Sequence, residues 1–182
     1  GKLVKAVTRG NGEVGEVITN NARVFTNIPV NIAYKGSLIL RGEAVISYSD
    51  FEKLNNEIAV MGAKYKNPRN LCSGSVRQLN NKITAERNVH FYAFTLVKVD
   101  GIDFKDSRSE QLQWLNDQGF GVVEFKKVNS SNIEETVKWF SDHIAENDIP
   151  SDGLVLTYDN ISYGESLGTT AKFPRILRMR YY

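Results

Sequence analysis

Apolar residues recur along the chain at two spacings, every second position or every third to fourth, and the spacing predicts strands and helices respectively. Lys2 to Thr8 (KLVKAVT) alternates and reads as a strand. It opens into Arg9-Gly10-Asn11-Gly12, whose glycines and asparagine favour a turn with positive φ. Thr19 to Pro29 is a connector. Leu38 to Ile46 (LILRGEAVI) is the clearest strand, with apolar flanks around Arg41-Gly42-Glu43. Val89 to Val99 (VHFYAFTLVKV) is aromatic and β-branched, as a buried strand should be. Gly121 to Lys127 and the apolar run ending at Thr157 are shorter strand candidates. Helical spacing appears at Phe51, Leu54 and Ile58, behind a capping-box pattern of Ser49 and Glu52 and ahead of a stop at Gly62. The same pattern opens helices at Ser107 with Glu110, ended by Gly119, and at Ser131 with Glu134. Trp114 and Trp139 sit on these two helices as packing residues.

One stretch follows neither period: Asn67-Pro68-Arg69-Asn70-Leu71-Cys72-Ser73-Gly74-Ser75-Val76-Arg77-Gln78-Leu79. Pro68 keeps Asn67 out of helical geometry, so the segment is expected to enter as an extended turn. Ser73-Gly74-Ser75 would then start a short helix through Gln78, with backbone N–H groups open at its first turn. Arg69 and Arg77 would stand on either side of that start. Two guanidiniums beside an open helix N-terminus suit a phosphate. A polar surface loop with two solvated arginines fits the same residues.

Two strand residues add candidate chemistry. Glu43 beside Gly42 is costly to bury without a partner, so it is a candidate acceptor for a ribose hydroxyl; an ion pair with Arg41 or an exposed edge carboxylate is the alternative. Phe94 follows Ala93 and could lie flat under a planar base. His90 has no metal-spaced partner.

Composition narrows the field only modestly. The 182 residues suit one domain, and a net charge of +2 is too small to imply a nucleic-acid partner by itself. Cys72 is the only cysteine, which rules out an intrachain disulfide or a cysteine-rich zinc site and makes a reducing compartment the default. No apolar run reaches the roughly 20 residues of a membrane span, and no secretory signal opens the chain. Gly1 is not a natural start residue, which points to an excerpt or a processed product.

NPRN at 67–70 followed by GSxRQL at 74–79 resembles the adenylation domain of bacterial NAD-dependent DNA ligases. The resemblance implies an α+β fold, with antiparallel sheets around a nucleotide cleft and peripheral helices. It implies that Arg9, in a segment similar to the family's TRGDG…GEDVT, contacts the nucleotide; Asn11 and Val17 replace aspartates there. By the same likeness Glu43 of RGE binds ribose, Phe94 stands for the tyrosine that stacks on adenine, and Arg69 and Arg77 meet phosphates. Asp152 opens a segment similar to DGxVxK, in which Thr157 replaces the lysine at the adenine edge. Ser166 to Arg175 still tracks the family, and beyond it Tyr181 stands at the phosphate-binding lysine position. Lys172, Arg178 or Arg180 would supply charge without occupying that place.

The family's nucleophilic lysine lies in a KxDG motif that occurs nowhere in this chain, so no catalytic residue is assigned. Residues 1–182 are therefore expected to be a partial adenylation domain, without the upstream subdomain that grips nicotinamide mononucleotide or the later DNA-wrapping domains, and inactive alone. For the full enzyme the resemblance implies NAD, Mg2+, nicked double-stranded DNA, a monomeric state, a cytoplasmic location and no membrane. A non-catalytic nucleotide- or nucleic-acid-binding module, or an ATP-dependent ligase or capping-enzyme relative, are the alternatives.

Overall fold

The computed structural model describes residues 1–59, 62, 64–144, 146–151, 153–168 and 177–179. Its central element is an antiparallel pair, β1 (Leu38–Val45) with β2 (His90–Val99). Register runs from Leu38 opposite Val99 to Val45 opposite His90. It shifts between Arg41 and Gly42: Gly42 faces Ala93 and Arg41 faces Thr95, so Phe94 is the extra residue of a β-bulge. Burial alternates along β1 as its sequence does, with Leu38, Leu40 and Gly42 half-buried and Ile39, Arg41 and Glu43 exposed.

The inward side of the pair carries Ala93 and Leu96 against the fully buried Leu115 of α5 (Arg108–Asp117). A second core joins Ile46 and Val89, at the ends of the two strands, to Leu71, Cys72 and Val76 and to Ala22 and Phe25. Burying a leucine such as Leu71 completely is worth about 1.5–3 kcal/mol. This second core brings α1 (Thr19–Ala22), α2 (Tyr48–Ala59) and α3 (Pro68–Ser75) together with the sheet.

The arginine stretch departs from expectation. Helix α3 begins at Pro68, so Ser73-Gly74-Ser75 closes a helix instead of opening one. Asn67 is extended as expected (φ −160°, ψ 165°), but as an N-cap whose side chain accepts from the Asn70 amide at 2.8 Å. Proline at the first helical position lacks only an N–H that would have had no partner inside the helix, and Leu71, Cys72 and Ser75 then turn inward together.

Other boundaries shift for similar reasons. Helix α2 is capped by Ser47, whose hydroxyl accepts from the Asp50 amide at 3.1 Å, while Ser49 binds Asp148. Helix α6 (Ile133–His143) has Asn132 at its N-cap without a side-chain cap bond. The strand expected over Lys2–Thr8 is an extended segment bridged only at Lys2 and Val7. The one expected over Gly121–Lys127 pairs with β2 through a single parallel bridge, Ala93 with Val122. Both sequences alternate correctly, but each finds a partner over only a residue or two, and a strand exists only where a ladder does. Helix α4 (Asn81–Glu86) follows the arginine stretch, and α7 (Ile161–Ser166) follows β3 (Leu154–Leu156), which pairs antiparallel with β4 (Leu177–Met179). The architecture is mixed α and β with small antiparallel sheets. Among the described residues no helix is long and apolar enough to cross a membrane.

Candidate functional site

The solvent face of β1–β2 carries the first pair of candidate residues. Glu43 lies opposite Tyr92, and strand alternation returns Phe94 to the side that Tyr92 occupies. Both are exposed, Phe94 at 41%. From the Glu43–Tyr92 pair a regular ladder would set Phe94 itself opposite Arg41; the bulge leaves Phe94 unpaired on that same face and pairs Arg41 with Thr95. Gly42 makes this geometry possible. A Cβ there would lie 2.4 Å from Phe91 Cζ and 2.4 Å from the Tyr92 carbonyl oxygen. Glu43 makes no ion pair with Arg41, or with any other described residue.

Helix α3 packs beside this strand. Burial pushes the Cys72 thiol up to about 12, and the neighbouring Glu43 carboxylate adds to the effect. Cys72 therefore remains a buried thiol without nucleophilic character, and its environment puts Glu43 within electrostatic reach of α3. Arg69 lies exposed in the first turn of that helix, and Arg77 lies just beyond its end. Eight residues correspond to about 12 Å of helix rise, so the two guanidiniums flank α3 instead of sharing its N-terminus.

Arg77 is held on three sides. Its Nε pairs with the Glu16 carboxylate. Its Nη1 donates to the Ser73 hydroxyl at 2.6 Å and to the Ser73 carbonyl at 3.3 Å. Nη2 takes no part in these contacts. The backbone around it is fixed by Asn21, a buried residue of α1 that donates to the carbonyls of Val76 at 2.7 Å and Gln78 at 2.9 Å. Thr84 locks the arrangement, donating to Asn21 Oδ1 at 3.2 Å and to the Ser75 carbonyl at 2.8 Å.

Glu16 also brings Arg9 into the same neighbourhood. The Thr8 amide donates to the Glu16 carbonyl at 2.9 Å, and the Glu16 amide donates to the Thr8 hydroxyl at 3.0 Å. Arg9 is the next residue, exposed at the hairpin tip, where the Gly12 amide closes a turn onto its carbonyl at 3.0 Å. Asn11 Oδ1 accepts from the amides of Glu13 and Val14, so an amide suffices for the turn without an aspartate. Thr157 is exposed one residue past β3. Asp152 and Lys172 lie outside the described residues, as do Arg175, Arg180 and Tyr181.

Reading the sequence missed Glu16, Ser73 and Asn21 as parts of this arrangement. Glu16 meets Arg77 61 residues away and Asn21 meets Val76, Gln78 and Thr84 55 to 63 residues away, so no local pattern points to them. A cavity of about 310 Å³ lies farther along the same strands, lined by Val45, Ser47, Asp50, His90, Tyr92 and Asp148 among others. It includes none of Arg9, Glu43, Arg69, Arg77 or Phe94, and Tyr92 is its link to the Glu43 face. Its carboxylates are already engaged: Asp50 accepts from Ser47 and Asn88, and Asp148 from Ser49. Among the described residues no group of three or more histidine, cysteine, aspartate or glutamate side chains could hold a metal ion.

The β1–β2 pair thus exposes Glu43 and Phe94 on one face, while Arg69 lies on α3 and Arg9 at a hairpin tip. The chain belongs to the NAD-dependent DNA ligase adenylation domain family, whose model matches residues 1–179, four residues past Arg175, where the likeness in sequence was expected to stop. It is 72% identical over 175 residues to a DNA ligase of Ruminiclostridium cellulolyticum and 63% identical over 175 residues to one of Lachnoclostridium phytofermentans, each match covering 96% of this chain. A DNA ligase of Nitratiruptor is 41% identical over 179 residues. The chain spans 27% of the length of these relatives.

Proposed function

We propose that the chain is the nucleotide-binding core of a ligase that takes AMP from NAD and seals 5′-phosphate/3′-hydroxyl nicks in DNA. Its fold would be that of a ligase nucleotidyltransferase, with the β1–β2 face as one wall of the cleft. The observation that carries this reading is the register that sets Phe94 and Glu43 on one exposed face, in a chain of this family. Adenine stacks on Phe94, a contact worth roughly 1–3 kcal/mol. A ribose hydroxyl donates to Glu43. Arg9, Arg69 and Arg77 bind phosphate oxygens and stabilise the charge that develops on them during transfer. Thr157 offers the adenine edge a hydroxyl where the family has a lysine, which keeps one hydrogen bond and loses the charge.

The lysine that accepts AMP belongs to a KxDG motif outside this chain, so the chain alone forms no covalent adenylate. The intact enzyme acts in the cytoplasm as a monomer on nicked duplex DNA. Mg2+ is expected for it, and among the described residues no cluster of histidine, cysteine or carboxylate side chains would hold the ion. A non-catalytic module that binds nucleotide or nucleic acid through the same residues is the alternative. A hybrid ligase separates the two, with this chain replacing the 175 residues it matches in the Ruminiclostridium cellulolyticum relative. Incubated with adenine-labelled NAD, the hybrid should acquire label that survives denaturing electrophoresis and should seal nicks, while the chain alone stays unlabelled. A folded hybrid that takes no label would sink the ligase reading; label on the isolated chain would sink its inactivity.

A further inference from the structure

We infer that Glu16 is a positioning residue for Arg77, orienting its guanidinium for a phosphate while tying it to the Arg9 hairpin. The inference rests on the proposed phosphate role of Arg77 and adds to it the group that aims the side chain. Glu16 takes Nε and Ser73 takes Nη1, which fixes the plane of the guanidinium and leaves Nη2 outside both contacts. Asn21 holds the carbonyls immediately before and after Arg77, so the backbone beneath the side chain is fixed as well. An arginine held in its working geometry loses little rotamer freedom when a phosphate arrives, and preorganisation of this kind is what a charge-stabilising site needs.

Exposure argues that stability is not what the pair supplies. The side chains of Arg77 and Glu16 are 47% and 62% exposed, and ion pairs so open to water contribute little to folding. Electrostatics alone would also disfavour an acid here, since a carboxylate beside a phosphate site repels the ligand. Its presence is explained if geometry outweighs that repulsion. Glu16 is also bracketed by Thr8 through two hydrogen bonds, so a single residue sets the hairpin carrying Arg9 against the end of α3. Two of the three candidate cations therefore move as one unit.

The opposing electrostatic expectation makes the test sharp. In the hybrid ligase, self-adenylation from NAD is measured for Glu16→Ala, Glu16→Gln, Arg77→Ala, Glu16→Ala with Arg77→Ala, and Glu13→Ala, alongside melting temperature. Positioning predicts that Glu16→Ala slows adenylation about tenfold, the loss that goes with one hydrogen bond to a charged group. Glu16→Gln keeps an acceptor for Nε and should recover part of that loss. On the Arg77→Ala background Glu16→Ala should cost nothing further. Glu13→Ala removes the same charge from the same hairpin and should behave like the parent, and melting temperatures should barely move. If Glu16→Ala is as fast as the parent or faster while Arg77→Ala is slow, the carboxylate only repels or competes, and the inference fails by itself. An equal loss in Glu13→Ala would mean that hairpin charge, not aim, matters. An Arg77→Ala enzyme with parental activity would remove the phosphate role of Arg77, and the inference with it.

Discussion

Replacing Asn21 by alanine perturbs the fold where it carries the site, and the structure gives the size of the effect. Asn21 is 5% exposed, and its amide nitrogen serves two carbonyls, Val76 at 2.7 Å in the interior and Gln78 at 2.9 Å nearer the surface. A buried acceptor stripped of its donor costs about 1–3 kcal/mol, which applies in full to Val76 and by about half to Gln78, where water can enter. Thr84 loses Asn21 as an acceptor but keeps the Ser75 carbonyl, so it adds little. The total is about 3 kcal/mol, and for a domain of this length each kcal/mol moves the melting temperature by about 2–4 °C, giving a drop of roughly 9 °C. Thermal melts followed by circular dichroism measure it, with urea titration checking that the m-value is unchanged. Asn21→Asp distinguishes lost hydrogen bonds from a simple cavity: it fills the space but turns a carboxylate toward two carbonyl oxygens, so at neutral pH it should melt below Asn21→Ala. An alanine variant that melts within about 2 °C of the parent would refute the reasoning, because the clamp under Arg77 would then carry almost no stability.

Three further outcomes follow from the geometry. Gly42→Ala should destabilise by about 1–3 kcal/mol, because the new methyl meets Phe91 and the Tyr92 carbonyl; unchanged urea stability would show that the strand yields freely. The Asp159 carboxyl should contribute stability with a defined pH dependence. Partial burial pushes it up, but the Lys127 ammonium at 2.8 Å, the Ser109 amide at 2.8 Å and the Ser107 hydroxyl at 2.9 Å outweigh burial and hold it well below the usual carboxylate range. A carboxyl lowered on folding stabilises above its unfolded value near 4 and loses that contribution as pH falls further. The melting advantage of the parent over Asp159→Asn should thus be constant near neutrality and shrink below about pH 4, and an advantage that grows on acidification would contradict the assignment. Finally, in the hybrid ligase 2′-deoxyadenosine nucleotides should bind more weakly by roughly 1.5–3 kcal/mol. Glu43→Ala should erase that discrimination and Phe94→Ala should weaken both nucleotides alike; discrimination that persists without Glu43 would remove it from the ribose site.

The sheet was legible because its signals are local. Alternation in LILRGEAVI and the aromatic run in VHFYAFTLVKV each bury one side, and their pairing follows from two such faces meeting. Helix α5 was legible for the same reason, with Ser107 capping it and Gly119 at φ 92° just past its end. Where the reading failed, the local signal had two outcomes that only tertiary contact decides. Proline restricts the residue before it in either case, and the burial of Leu71 and Cys72 is what makes Pro68 the start of a helix instead of part of a turn. Likewise Ser47 and Ser49 are both competent caps for α2, and Asp148, 99 residues beyond Ser49, claims one of them.

The candidate site is less legible still, because its parts come from distant positions and the restraints on them are more distant again. Glu43 and Phe94 share a face because Glu43 pairs with Tyr92, two residues before Phe94, and the residue inserted opposite Arg41 then keeps Leu96 on the inward side with Ala93. Composition does not announce that insertion; Gly42 is its one local sign, since a strand interior has little other use for a residue without a Cβ. Arg77 is visible as a charge, but its direction depends on Glu16, 61 residues earlier, and on Asn21, 55 residues before Val76. Short motifs therefore mark candidate ligand contacts more readily than the residues that hold those contacts in place. The two sets answer to different constraints: a phosphate selects guanidinium groups wherever the chain supplies them, whereas the groups that hold a guanidinium in place need only be near it once the chain has folded.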